Sequence, residues 1–387
     1  MAIGKRLLRF LWLLLICTIW CQHLLTAILA LGWIYRWVRH RVSQQLFKSS
    51  PMVDKNTWQK FASNHESLTP VRDLPHLFRR QPGIVSPKNS WLKCLYEWLH
   101  ACWLNFRVGL GGIVTTWSLT LFPCTMYAIA WYTGWHISFT KMYEESATGA
   151  SLGFSGLLLL TMIMLYLPLA QARHAFTNDW RSFFDWRFIT ALLWRRPLQL
   201  FLLAIGYLFV NVALTFFKIL PTFFTAMNSA LADLSAIAAL ELLNRYYFYT
   251  GGIAFLLLLA LKTFGGNIYS SALLEIWRQS VLKPEAFNSE EIRLFELLEI
   301  DYGDRDKKPS LGRKILTIPV NISYRGVIMT LTVLVWSLFN FMPFVSEFFN
   351  YYPVRGFLNQ PLVQLPCFRY VPTQLEAKAI AERTSFD

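Results

Sequence analysis

Residues 172–188 read ARHAFTNDWRSFFDWRF and gather one histidine (His174), two carboxylates (Asp179 and Asp185) and three arginines (Arg173, Arg181 and Arg187). Arg195 and Arg196 follow a few residues later. A base, a metal-binding carboxylate and phosphate-binding arginines are what chemistry on a lipid head group requires. An amphipathic connector whose charges face water and lipid phosphates uses the same residue types. That plainer reading is preferred, because no second carboxylate or histidine lies at catalytic spacing. It leaves His174, Asp179, Arg181, Arg187, Arg195 and Arg196 as candidate head-group contacts rather than catalytic residues.

The second place to look for chemistry is GGIAFLLLLALKTFGGN, residues 251–267, where Lys262 follows an uninterrupted apolar run. An ionisable group in mid-bilayer is costly and usually functional. Counting from the aromatic belt at Tyr246–Tyr249, a helix reaches Phe264 after about 28 Å. Lys262 then lies within one turn of the far interface, where its long side chain can snorkel. Gly265 and Gly266 mark a place for the span to end. Snorkelling is therefore the preferred reading, and an intramembrane role is the alternative.

Other motifs carry less. The seven histidines form no H-x-x-x-H or H-x-x-E-H pattern, and His23 reads as a hydrogen-bonded helix contact. The six cysteines contain no C-x-x-C pair, and Cys17 and Cys21 share one helix face as small apolar side chains. DYGDRD at 301–306 lacks the residue order of a calcium loop. Gly109, Gly111 and Gly112 fit close helix packing better than a dinucleotide loop. No Walker, nucleophile-elbow or zinc motif is present, so the sequence points to no metal and no cofactor.

The elements that must position these residues are membrane helices. The chain has 387 residues, of which 55% are hydrophobic and only 16% charged, with a mean hydropathy of +0.36. Its apolar residues come in runs of the length that crosses a ~30 Å hydrocarbon layer. The expected fold is all-α, a polytopic transmembrane bundle with interfacial amphipathic helices. Six spans are expected, at about 11–37, 108–135, 152–172, 198–220, 246–264 and 327–348. Residues 38–106 and 265–326 are expected as cytoplasmic segments, residues 221–244 as an outward-facing helix, and residues 349–387 as an extended outward tail.

Sidedness follows from Lys and Arg. Of the 37 basic residues, 26 fall in segments 36–107, 173–196 and 278–325, which share one side if there are six spans. That side is expected to be cytoplasmic, with both termini outside. The net charge of +14 is therefore assigned to anionic lipid rather than nucleic acid. Within the connectors, Trp91–Phe106 reads as an aromatic-rich interfacial helix. In residues 179–196, Phe184, Phe188, Leu192 and Trp194 cluster on one apolar face. Residues 288–300 form a short amphipathic helix with a capping box from Asn288 to Glu291.

Residues 165–208, LYLPLAQARHAFTNDWRSFFDWRFITALLWRRPLQLFLLAIGYL, resemble bacterial polytopic inner-membrane proteins grouped under a domain of unknown function. The shared pattern is an apolar span, a small-residue connector and a short F-F-x-W/F-R-F helix before the next span. The resemblance implies a bacterial inner (cytoplasmic) membrane location and no activity. The leading functional expectation is a non-catalytic integral membrane protein, a structural or accessory subunit of a larger assembly, with membrane lipids and other membrane subunits as partners. A transporter or permease using Lys262, and an enzyme modifying lipid head groups through His174, Asp179 and Arg181, are the alternatives.

Overall fold

The computed structural model describes residues 2–55, 57–64, 91–130, 147–231, 233–303, 311–347, 366–369, 371 and 373–384. Among these the architecture is all-α. In chain order the helices are α1 (Ala2–Trp20), α2 (Leu24–Lys48), α3 (Trp58–Asn64), α4 (Trp91–Ala130), α5 (Ala147–Thr177), α6 (Trp186–Leu193), α7 (Pro197–Ile219), α8 (Ala236–Arg278), α9 (Ser289–Leu297), α10 (Leu311–Glu347) and α11 (Thr373–Thr384). Among the described residues, five helices are long and apolar enough to cross a membrane, at Trp98–Met126, Ser151–Thr177, Pro197–Phe223, Ala236–Arg278 and Ser323–Phe341. The protein is thus an integral membrane helical bundle.

Several expected boundaries differ. The run at 11–37 is two helices, separated by a turn at Cys21–His23. Carbonyls freed by the break find donors: the Thr26 hydroxyl bonds Trp20 O at 2.7 Å, and the Phe368 backbone N–H bonds Cys21 O at 3.1 Å. His23 is the extended N-cap residue of α2 and is exposed, rather than a helix contact. The stretch 91–106 is no separate interfacial helix but the first part of the continuous 40-residue α4. Arg107 suggested a boundary, yet nothing between Phe106 and Val108 breaks a helix.

The largest difference is α8. It runs 43 residues, about 65 Å at 1.5 Å per residue, and so continues through Gly265 and Gly266 instead of ending there. The residues expected as the end of an outward helix at 221–244 are its first turns from Ala236, after short turns at Leu220–Phe223 and Phe224–Met227. The tail is not extended throughout: Thr373–Thr384 is helical, and its Glu382 accepts the Ala236 and Ile237 N–H groups at 3.0 and 3.1 Å. A carboxylate there satisfies orphan donors and complements the positive end of α8. The expected end of the last span at Phe348, and the tail from 349 to 365, lie outside the described residues.

The core sits where α2, α4, α5 and α8 meet. Glycines let α2 and α4 touch backbone to backbone. A Cβ at Gly32 would lie 1.7 Å from Asn105 O, and one at Gly109 only 2.1 Å from Ile28 O. One added methyl on either helix must push them apart, which is the packing use expected of the glycines after Arg107. Gly112 gives the same room to the Tyr35 ring, whereas Gly111 stands at ordinary distance from His174 Nε2.

Candidate functional site

Among the described residues, the polar clusters around Arg173 and around Lys262 both begin on the last turns of α5. This helix ends at Thr177 because Asn178 takes a left-handed conformation (φ 55°), a common helix stop for asparagine. Asp179 then caps the single turn Trp180–Phe183 by accepting Arg181 N–H at 3.0 Å. Asp185 caps α6 by accepting Phe188 N–H at 3.1 Å. Pro197 opens α7, where its missing N–H costs nothing. The stretch from 177 to 197 is therefore folded by local signals against the end of the bundle.

The first cluster is centred on Arg173, whose side chain is 2% exposed. Its Nε donates to Glu291 Oε1 at 2.9 Å and its Nη2 to Glu291 Oε2 at 3.2 Å, a two-pronged ion pair. Its Nη1 donates to Asp185 Oδ2 at 3.0 Å. The guanidinium lies 3.6 Å over the Phe188 ring. Glu291 also accepts the Tyr269 hydroxyl of α8 and, at 2.7 Å, the Asn288 backbone N–H. Asn288 Nδ2 donates to Asp179 Oδ2 at 3.1 Å and to Ser182 Oγ at 2.9 Å. One arginine and one glutamate thus fasten α5, the Asp179–Leu193 connector, α8 and α9 to one another.

The expected capping box at Asn288 and Glu291 is present, and it does more than cap. Glu291, Leu294, Phe295 and Leu298 are buried on one face. A carboxylate at an apolar position of that helix was the available signal for a buried partner. At the rim of this cluster Arg39 pairs with Glu290 at 3.0 Å. Burial lowers the Arg39 guanidinium from its ordinary value, Glu290 raises it back, and Arg293 lowers it again.

The second cluster surrounds Lys262. Its ammonium is buried in the bundle and donates to the Gln171 side-chain oxygen. Gln171 Nε2 donates in turn to Thr116 Oγ1 at 2.8 Å. The Tyr207 ring centroid lies 5.9 Å from Lys262 Nζ. Tyr35, Pro168, Gln171, Tyr207, Lys262 and Gly265 line a cavity of about 10 Å³ between them. That is the size of one water position with several polar partners. Lys262 is thus enclosed by protein, and α8 continues past it to Arg278. Gly266 admits a neighbour, since a Cβ there would lie 2.9 Å from Val38 Cγ1, whereas Gly265 stands at ordinary distance from Leu203.

The candidate head-group residues divide. His174 is buried, donates through Nδ1 to Asp179 O at 3.2 Å, and packs against the Tyr35 and Phe183 rings. Asp179 is engaged by the Arg181 N–H, Ser182 and Asn288. Arg195 and Arg196 pair with Glu275 of α8 at 3.6 and 3.2 Å. Arg181 and Arg187 are exposed. Trp194, grouped with the apolar face from the sequence, is exposed, while Phe188 and Leu192 of that group are buried. No grouping of His, Cys, Asp and Glu among the described residues is arranged to hold a metal ion. No family model, curated protein or solved structure matches this chain.

Proposed function

We propose that this integral membrane protein is a non-catalytic structural or accessory subunit of a larger assembly in a bacterial inner membrane. The observation that carries this reading is the state of its polar residues at the 173–196 end. Arg173, Asp179, Asp185 and Glu291 bind one another and cap helices, and of the three residues an enzyme acting on head groups would use here, His174 and Asp179 are held in internal hydrogen bonds while Arg181 is exposed. Their chemistry is that of a latch. The basic residues of the connectors around this end supply its cytoplasmic orientation in this reading.

The test is the size of the tagged chain released from native membranes by a mild detergent. This reading requires a particle well above the 45.0 kDa monomer in its micelle, with other membrane proteins lost from the fraction when the chain is deleted. A monomer whose deletion changes no other membrane protein contradicts it. A second reading, a permease, is favoured by one observation: Lys262, Gln171 and Tyr207 face a small internal cavity. Under that reading Lys262→Met abolishes solute flux in proteoliposomes while leaving the fold intact.

A further inference from the structure

The connector between α5 and α7 joins two of the candidate spans, Ser151–Thr177 and Pro197–Phe223, so it lies at one membrane surface. Its two faces differ in kind. Inward, α6 buries Phe188, Ile189, Leu192 and Leu193 against the bundle. Outward it presents Trp186, Arg187, Thr190 and Trp194, all exposed, and the preceding turn adds exposed Trp180 and Arg181. The Arg181 guanidinium lies 5.6 Å from the Trp180 ring. The two carboxylates of this stretch do not cancel that charge. Asp179 is taken by Ser182, Asn288 and a helix cap, and Asp185 by Arg173 and another cap. The surface therefore pairs three indole rings with two arginines at the depth where head groups lie.

We infer that this face is a binding surface for the phosphate of anionic phospholipids, with Arg181 and Arg187 as the phosphate contacts and Trp180, Trp186 and Trp194 seated among the upper acyl chains. Indoles prefer the membrane–water boundary, and guanidinium groups fit phosphate oxygens in a two-pronged manner. Of the six residues that the sequence nominates for head groups, the structure leaves these two arginines facing outward. The inference is independent of whether the chain assembles with other subunits.

The test titrates short-chain phosphatidylglycerol against the thermal unfolding midpoint of the full chain in a neutral detergent, with phosphatidylcholine and inorganic phosphate as parallel arms. Phosphatidylglycerol is expected to raise the midpoint by more than phosphatidylcholine, and inorganic phosphate to leave it unchanged. Arg181→Gln with Arg187→Gln is expected to weaken the apparent affinity by about 30-fold, roughly fivefold for each arginine near the surface. Lysine at both positions keeps most of the response, and Arg293→Gln, an exposed arginine of α9, keeps all of it. An equal response to the two lipids, an equal response to inorganic phosphate, or an undiminished response in the double glutamine variant overturns the inference.

Discussion

The Arg173 cluster and the Lys262 cluster start two residues apart on α5, at Arg173 and Gln171, yet they solve opposite problems. Around Arg173 one buried cation meets Glu291 and Asp185, and hydrogen bonds from Tyr269 and Asn288 complete the carboxylate. Lys262, by contrast, meets the Gln171 amide oxygen and the face of the Tyr207 ring. Lys262 lies seven residues before Tyr269 on α8, about 10 Å further along the helix. Opposite charges therefore tie the connectors to the end of the bundle, while deeper in the bundle the Lys262 side chain meets an amide oxygen and an aromatic ring. A buried ion pair loses most when one partner is removed, because the other charge is left in low dielectric.

Four substitutions break or sharpen this contrast, each read as the change in unfolding free energy in mild detergent. Glu291→Ala is the most damaging, at about 3–5 kcal/mol, because it takes from Arg173 its two-pronged carboxylate, leaving Asp185, and removes the acceptor for Tyr269. Tyr269→Phe costs about 1.5–3 kcal/mol, the value of a hydrogen bond to a charged group. Gln171→Leu costs about 1–3 kcal/mol by removing an acceptor from the Lys262 ammonium. Lys262→Met costs about 1–2 kcal/mol by leaving the buried Gln171 oxygen without its donor, and in that background Gln171→Leu loses most of its cost. Equal losses for Glu291→Ala and Lys262→Met would erase the distinction between the two clusters.

What the sequence reveals depends on how local the cause is. Pro197 at the start of α7 and the Asn288–Glu291 box are short-range signals, and both are present in the structure. The packing role of Gly109 was readable from its small size next to an apolar run, although its partner Gly32 was not. The break at Cys21–His23 carries no Gly or Pro, and donors from Thr26 and Phe368 stabilise it. Glu291 lies 118 positions from Arg173, so only the fold could join them. The burial of Lys262 in the bundle was hidden for a similar reason. Counting from the aromatic belt assumed that α8 stops at its glycines, whereas Gly266 makes room for Val38 and the helix runs on to Arg278.

The central claim is that the charges at the 173–196 end form an internal latch. A double-mutant cycle with Arg173→Met, Glu291→Leu and the pair tests it most directly, by reversible unfolding of the full chain in mild detergent. The latch predicts that each single change costs several kcal/mol and that the double variant recovers at least about 2 kcal/mol of their sum. Strict additivity of the two single losses would show that Arg173 and Glu291 do not hold each other, and would contradict the account.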